Sequence, residues 1–416
     1  AQAGLGTSAA HAALIPACLA MLSVAEPPCR RERAAAEPAS GAAGGAVEVR
    51  WLSGEVEAAP AGGTARELAL ELALGRGLPA WAPVRLLAGS RELAEGEIIC
   101  RGLGPLTAVA ALPPLALSAG GDGALRLWSL GSSHSLAPLG PLRGHEAAVC
   151  AAYADFGRLR ALSGSRDGTL RLWDLASMAC TDLLEARAGP VAAVAADFEK
   201  GLAACCCAGD RAVRLWDLAQ GCCVAQLRGH LDEVQDLAFA GGELLLSASA
   251  DRTLRVWAPV GPERDASAAA FQCRRVLVGH KLSVLAVGAD VRHERAVSGS
   301  ADCTVRLWDL ADGTCLAVLE GHSWPVRSVA ADFEHGIVLC ASGQGNLKVW
   351  RLQGHPSCIG TLVGHKGIVS VTADFARGLA LSGGEEGTLK VWELNSLQCV
   401  DTLEAAHAGP VHVAAL

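Results

Sequence analysis

Serine, histidine and aspartate recur together along this chain, and that trio is the first chemistry to weigh. His145, Ser163 and Asp167 form one set; His230, Ser247 and Asp251 a second; His280, Ser298 and Asp302 a third. A nucleophile, a base and an orienting acid could make a hydrolytic triad. The copying argues against it. A nucleophile needs one strained elbow and one oxyanion hole, not several equivalent surroundings. Each set also runs to a tryptophan (Trp173, Trp257, Trp308), with Ser ten residues and Asp six residues ahead of it. Recurrence at a fixed offset points to structure, and no catalytic residue is assigned.

Other chemistries lack their motifs. No glycine-rich loop of the phosphate-cradling kinds is present, and no metalloprotease helix, so no cofactor is expected. Sixteen cysteines follow neither a disulfide nor a zinc spacing. Cys205, Cys206 and Cys207 stand in a strand position, where cysteine serves as a small apolar filler. Metal binding by these three with Cys222 and Cys223 is the rival reading. Reduced thiols and the lack of a glycosylation sequon fit an intracellular chain, cytoplasmic or nuclear. A net charge of −8 argues against a broad nucleic-acid-binding surface. Arginines outnumber lysines 30 to 5, which reads as coding bias rather than guanidinium chemistry.

The elements that must carry the trios are strands. Residues 298–310, SGSADCTVRLWDL, read as strand, tight turn and strand. The stretch recurs around Trp128, Trp173, Trp216, Trp257, Trp308, Trp350 and Trp392, at steps of 45, 43, 41, 51, 42 and 42 residues. Each repeat supplies four strands; in the second they are 147–154, 160–165, 169–175 and 180–186, with Asp167–Gly168 turning the middle pair. A single four-stranded sheet exposes two faces and two edges. Stacking sheets radially buries the faces, and closing the ring leaves only short edges.

Ahead of the repeats lie two other regions. Residues 1–45 read as a disordered, alanine-rich tail and linker. Its apolar run at 14–24 is too short to span a bilayer and is broken by Pro16; a targeting segment is the alternative. The chain opens at Ala1 rather than Met, consistent with a fragment or a processed product. Residues 46–112 read as a small α+β module. Strands are expected at 47–52, 56–59, 84–87 and 106–112, with a turn at 53–55. A helix starts at Thr64, capped by Thr64 with Glu67, carries Leu68 and Leu72 on one face, and ends at Gly75 or Gly77.

Two resemblances follow. The repeats resemble the WD-repeat family. "GH" opens them at Gly144–His145, Gly229–His230, Gly279–His280, Gly321–His322 and Gly364–His365, and "WD" stands at Trp173–Asp174, Trp216–Asp217 and Trp308–Asp309. The likeness covers about three-quarters of the chain and implies a seven-bladed β-propeller over residues 113–416, in a mainly β protein. In that family His, Ser, Asp and Trp form a buried hydrogen-bond chain. Blade 3 departs from it with Arg187, Cys206 and Asp210, blade 6 with Cys340 and Gln344, and blade 7 with Glu386. Blades 3 and 6 are therefore expected to be the least rigid. The N-terminal module resembles the ubiquitin-like fold, "VRLLAGSREL" (84–93) looking like its central strand and following turn. With Pro113–Pro114 where a free Gly-Gly tail would be, it would be a fixed docking domain; any small α+β domain is the alternative.

Ring closure follows from counting strands. Blade 1 lacks its first strand, and "HAGPVHVAAL" (407–416) aligns with the opening of blade 6. His407 would then join Ser118, Asp122 and Trp128, with the C-terminal strand latching into blade 1; a truncated eighth blade is the alternative. By the resemblance, the loops after each His and the residues before each Asp share one rim. That offers Trp324, Arg166, Glu385, Lys281, Lys366 and Asp232 as partner-binding candidates. Trp324 stands outside the anchor series and suits an interface hot spot, or else packs on its own loop. The insertion near 259–271 reads as a surface loop or a docking peptide. The function expected is a non-catalytic scaffold binding a protein or peptide on the rim, its module recruiting a ubiquitin–proteasome factor. The alternative is a structural subunit of a ribonucleoprotein or cytoskeletal assembly. No membrane partner is expected.

Overall fold

β-branched and leucine-rich runs separated by turn residues every six to ten positions leave the chain little choice but short strands. The computed structural model describes residues 46–415 except 52–55, 61–62, 77, 80, 83, 89–90, 95–98, 100–104, 111–112, 132–133, 242–243, 261–269 and 291. The tail, the turn at 53–55, Gly77 and the centre of the 259–271 insertion lie outside the described residues. The rest divides into two compact units, one ending at Pro114 and the other beginning at Leu115.

The first unit holds β1 (Ala46–Trp51), β2 (Val56–Pro60), α1 (Ala65–Gly75), β3 (Val84–Ala88), β4 (Arg91–Glu92) and β5 (Leu106–Ala110). They form one sheet in the order β2-β1-β5-β3-β4, with β1 and β5 parallel and the other pairs antiparallel. The helix starts where its cap says. Thr64 N–H donates to Glu67 Oε2 at 2.8 Å, and Glu67 N–H donates to Thr64 Oγ1 at 3.2 Å, satisfying donors the first turn would orphan. Leu68 and Leu72 are buried with Val47, Val49 and Leu106, so the helix lays its apolar stripe on the sheet.

The second unit is seven four-stranded antiparallel sheets. Blade 2 shows the pattern: Val149–Asp155 innermost, then Arg160–Ser165, Thr169–Asp174 and Ala179–Glu185 outermost. Blades 3 to 7 repeat it over residues 191–228, 234–278, 284–319, 326–363 and 368–403. Blade 1 takes three strands from 115–142, and its innermost strand is Val411–Ala415, paired with Leu115–Gly120. Val411–Ala415 also lies between the inner strands of blades 7 and 2, so the ring closes through the C-terminal segment. The sheets are buried because they shield one another. Apolar clusters straddle blades 2–3, 3–4, 4–5, 5–6, 6–7 and 7–1. Six of the seven anchor tryptophans sit in these seams, and all seven, Trp173 included, are no more than 6% exposed. None of the described helices is long and apolar enough to cross a membrane.

Candidate functional site

The trios of the sequence are wiring. In blade 5, His280 Nδ1 lies 2.9 Å from Asp302, His280 Nε2 lies 2.8 Å from Ser298 Oγ, and Trp308 Nε1 donates to Ser298 Oγ at 2.8 Å. An ionised carboxylate only accepts, so a neutral ring donates from Nδ1 and accepts the serine proton at Nε2. Blade 2 joins His145, Asp167, Ser163 and Trp173 at 2.9, 2.7 and 2.8 Å. Blade 4 joins His230, Asp251, Ser247 and Trp257 at 2.8, 2.7 and 2.8 Å. In blade 1 the partner arrives from the far end of the chain: His407 lies 3.0 Å from Asp122 and 2.8 Å from Ser118, which accepts from Trp128. Blade 7 keeps the chain with a longer acid, Glu386, 2.6 Å from His365. Ser118, Ser163, Ser247, Ser298 and Ser382 have no exposed surface, so none of them can meet a substrate.

The electrostatics fit that role. Burial holds the His145, His230, His280, His365 and His407 imidazoles below their ordinary range, outweighing the neighbouring acid. Burial pushes the Asp167 carboxyl up, but bonds from Thr169 and Glu146 N–H outweigh it and bring it down to about 2. Asp122 and Asp251 reach about 2 by the same balance. Ionised acid and neutral imidazole are the pair that this geometry requires.

Blades 3 and 6 lack it. In blade 3, Trp216 donates to Cys205 Sγ at 3.2 Å, not to Cys206 as the ten-residue offset implies. Ala203 pairs with Trp216 where Ala161 pairs with Trp173, so the turn is one residue longer and the register slips by one. Cys206 consequently faces the blade 4 seam. Arg187, at the histidine's place, points into solvent beside Glu185. In blade 6, His322 reaches Cys340 Sγ at 3.0 Å, and the buried Trp350 indole N–H has no oxygen or nitrogen acceptor among the described residues. Burial, with the Lys348 charge, pushes His322 down to about 4.

The other candidates share one rim. In every blade the turn between the two middle strands donates one backbone N–H to the segment just before an inner strand. Arg166 N–H bonds Ala148 O at 2.9 Å, Gly343 bonds Pro325 O at 3.1 Å, and Glu385 bonds Gly367 O at 2.9 Å. This repeated clasp brings Arg166 and Glu385 to the level of Asp232, Lys281, Trp324 and Lys366, all six exposed. Lys281 N–H donates to Asp302 at 2.9 Å and Leu231 N–H to Asp251 at 2.9 Å, so the buried chain itself fixes the loops that carry the rim. Glu385 is not free: Arg327 Nη1 donates to it at 2.7 Å, from a bulge in the blade 6 inner strand that skips Arg327 in the pairing. Two clefts open here. One, of about 350 Å³, is lined by Arg166, Glu185 and Arg187 among others; the second, of about 290 Å³, by Lys281, Arg306 and Glu320.

Sequence reasoning misses two rim residues. Leu231 is 76% exposed and Leu282 is 52% exposed, beside Trp324 at 53%. They occupy equivalent loops of blades 4, 5 and 6, one apolar side chain per blade. Among the described residues, no group of three or more His, Cys, Asp or Glu side chains could hold a metal.

The model of the WD domain, G-beta repeat, matches residues 136–174, 221–258, 271–309, 313–351 and 356–393. Nuclear distribution protein PAC1 of Gibberella zeae is 35% identical over 100 residues, 21% of this chain and 20% of that protein. Cell division control protein 4 of Saccharomyces cerevisiae is 33% identical over 87 residues, 21% of this chain and 10% of that protein. Pre-mRNA-processing factor 19 homolog 2 of Arabidopsis thaliana is 33% identical over 93 residues, 22% and 17% respectively. The chain thus spans a fifth or less of the length of these curated relatives. Seven like four-stranded sheets, five of their repeats matched by the family model, lead to one conclusion: this chain belongs to the WD-repeat family.

Proposed function

We propose that the protein is a non-catalytic scaffold whose propeller docks a protein or peptide across the rim of blades 4 to 7. One observation carries the reading: Leu231, Leu282 and Trp324 stand exposed on three consecutive blades. Asp232, Lys281 and Lys366 flank them, and the Arg327–Glu385 pair lies alongside. An apolar arc with a tryptophan and a charged border has the composition of an interface with an anchor and a polar rim. Arg166, beside the blade 2–3 cleft, extends it. In blades 4 and 5 the loops rest on buried hydrogen-bond chains, so their order is largely set before a ligand arrives.

The module of residues 46–112 supplies a second docking point. The order β2-β1-β5-β3-β4 with a parallel central pair and one crossing helix supports a ubiquitin-like reading, and with it a factor of the ubiquitin–proteasome system as partner. Two ligands held on one chain raise each other's effective concentration. The setting is intracellular. A relative named as a pre-mRNA-processing factor and another named as a nuclear distribution protein support the second reading, a structural subunit of a larger assembly.

Affinity capture with mass spectrometry tests both halves, using the full chain, residues 113–416, and the full chain carrying Leu231→Ser, Leu282→Ser and Trp324→Ala. The triple variant should lose the propeller's partners while keeping its unfolding temperature. The shortened chain should lose a different, ubiquitin-system set. Identical partner lists from all three proteins would defeat the reading, and one stable complex of fixed composition would favour the assembly subunit.

A further inference from the structure

A belt of cysteines runs along the outer strands of the propeller. In blades 2 to 7 the residue facing the anchor tryptophan across the outermost strand pair is Cys180, Cys223, Cys273, Cys315, Cys358 and Cys399 in turn. A bulge at that point gives all six the same setting. Each thiol reaches the backbone carbonyl two residues on, at 3.3–3.5 Å.

What differs is the cation beside the sulfur. In blades 2, 4 and 5, the arginine two residues before the tryptophan donates from Nη1 to the thiol. Arg171 lies 3.6 Å from Cys180, Arg255 lies 3.4 Å from Cys273, and Arg306 lies 3.5 Å from Cys315. The guanidinium fits there because the "GH" glycine has no side chain: a Cβ at Gly279 would meet Arg306 Nη1 at 2.8 Å. The Nε of all three arginines is buried without a partner. Among the described residues none of the three forms an ion pair. Blade 3 diverts its arginine, Arg214, to Asp210 at 2.7 Å. Blades 6 and 7 carry Lys348 and Lys390, whose ammonium groups donate to Thr361 and Thr402 at 3.2 and 3.1 Å.

We propose that Cys315, and behind it the half-buried Cys180 and Cys273, are modification sites for small, carboxylate-bearing disulfides. The cysteine gives up its proton and its bond to the carbonyl, and the thiolate is held by the guanidinium N–H groups. It attacks one sulfur of the disulfide. The new S–S bond forms as the reagent's S–S bond breaks, and the departing thiolate takes up the released proton. No other oxidant is required. The uncommitted guanidinium acts twice, on the sulfur and on the reagent's carboxylates. The cysteines stand on the strands farthest from the inner strands of the ring, and Arg306 connects Cys315 to the rim cleft that it lines with Lys281 and Glu320.

Cys358 and Cys399 are internal controls, exposed like Cys315 and bonded alike to a carbonyl, but without a guanidinium on the sulfur. The full chain is treated with dithiobis-nitrobenzoate, an anionic disulfide, and with cystamine, a cationic one, and the adducts are mapped by peptide mass spectrometry over time. With the anionic reagent Cys315 should react on the order of tenfold faster than Cys358 or Cys399, and with cystamine the advantage should shrink to about twofold or less. Arg306→Gln should bring Cys315 down to the rate of Cys399, with Cys399 itself unchanged as proof of an intact fold. Equal rates at the three cysteines, or the same advantage with both reagents, would overturn the proposal without recourse to any variant.

Discussion

Blades 5 and 6 share a seam and a backbone plan, yet differ at a few side-chain atoms that decide how each is held. In blade 5 the Asp302 carboxylate collects His280, Lys281 N–H, and both the N–H and hydroxyl of Thr304. Ser298 then relays the chain to Trp308. In blade 6 a sulfur replaces the serine oxygen, and Gln344 stands where the acid would be, so the carboxylate-centred bonds are missing. Each blade keeps an apolar seam with the blade before it, in which Trp308 and Trp350 are 1% and 6% exposed. The sheet is therefore specified by burial and pairing, and the polar chain ties the loop above it to the blade. The exposed Trp324 rises from the blade with the weaker chain, Lys281 and Leu282 from the blade with the stronger one.

The sharpest break of that comparison removes a chain and a strand together. Deleting residues 406–416 takes His407 from Ser118 and Asp122, and uncovers an edge on Leu115–Gly120. It also removes Val411, which is fully buried between blades 7 and 1. The loss should exceed about 4 kcal/mol, one buried aliphatic side chain plus several orphaned polar groups. Calorimetry of the truncated chain would read it as a large fall in unfolding temperature; an unchanged transition would mean that the ring needs no latch. Next in size is Asp302→Ala, which strands a buried imidazole and two backbone N–H groups and should cost about 3 kcal/mol in urea unfolding. Gln344→Ala, at the same place in blade 6, should cost less than about 0.5 kcal/mol. Similar losses at the two positions would erase the distinction between the blades.

The third effect depends on pH. The unfolded chain's His322 titrates near its ordinary value of 6.5, whereas the folded imidazole is held at about 4. Between those values the unfolded state binds a proton that the folded state refuses. Stability contributed by neutral His322 is thus complete above pH 6.5 and falls with acidification until about pH 4, by at most about 1.4 kcal/mol per pH unit. His322→Gln should flatten the stability profile over that window. The Asp167 and Asp251 contribution runs lower, being present above the usual carboxylate range and lost as pH falls toward about 2. Parallel wild-type and His322→Gln profiles from pH 7 to 4.5 would show that His322 protonates freely in the fold.

What is readable in advance is whatever the chain repeats. Seven tryptophans at near-constant steps vote for one register, and the strand count points His407 to Ser118 across 289 positions. Local chemistry is equally legible, as in the Thr64–Glu67 cap. The offsets fail where a turn gains a residue, because a slip of one in a strand exchanges its faces; Cys205 and Cys206 trade places for that reason. The parallel β1–β5 pair is hidden by distance in sequence. Leu231 and Leu282 give no signal singly, since isolated exposed leucines are ordinary. The arginine excess, taken for coding bias, includes Arg171, Arg255 and Arg306, each held against a cysteine by the same contact.

The smallest prediction sharpens the comparison atom by atom. Cys340 is fully buried in blade 6 at the position that Ser298 fills in blade 5, and its sulfur is a weak acceptor. Cys340→Ser restores an oxygen that can accept from the Trp350 indole N–H and donate to His322 Nε2. Against that gain stands the loss of a larger, more apolar sulfur from the seam with blade 5. The reverse exchange, Ser298→Cys, loses two good bonds and must fit a larger atom in a site with no exposed surface. Cys340→Ser should therefore stabilise by about 1 kcal/mol, and Ser298→Cys should destabilise by about 2. Amide exchange in the strand Asn346–Arg351 should slow in the first variant, and exchange in Val305–Asp309 should quicken in the second. If both substitutions destabilise alike, packing rather than hydrogen bonding governs this position, and blade 6 is as firmly held by its sulfur as blade 5 is by its oxygen.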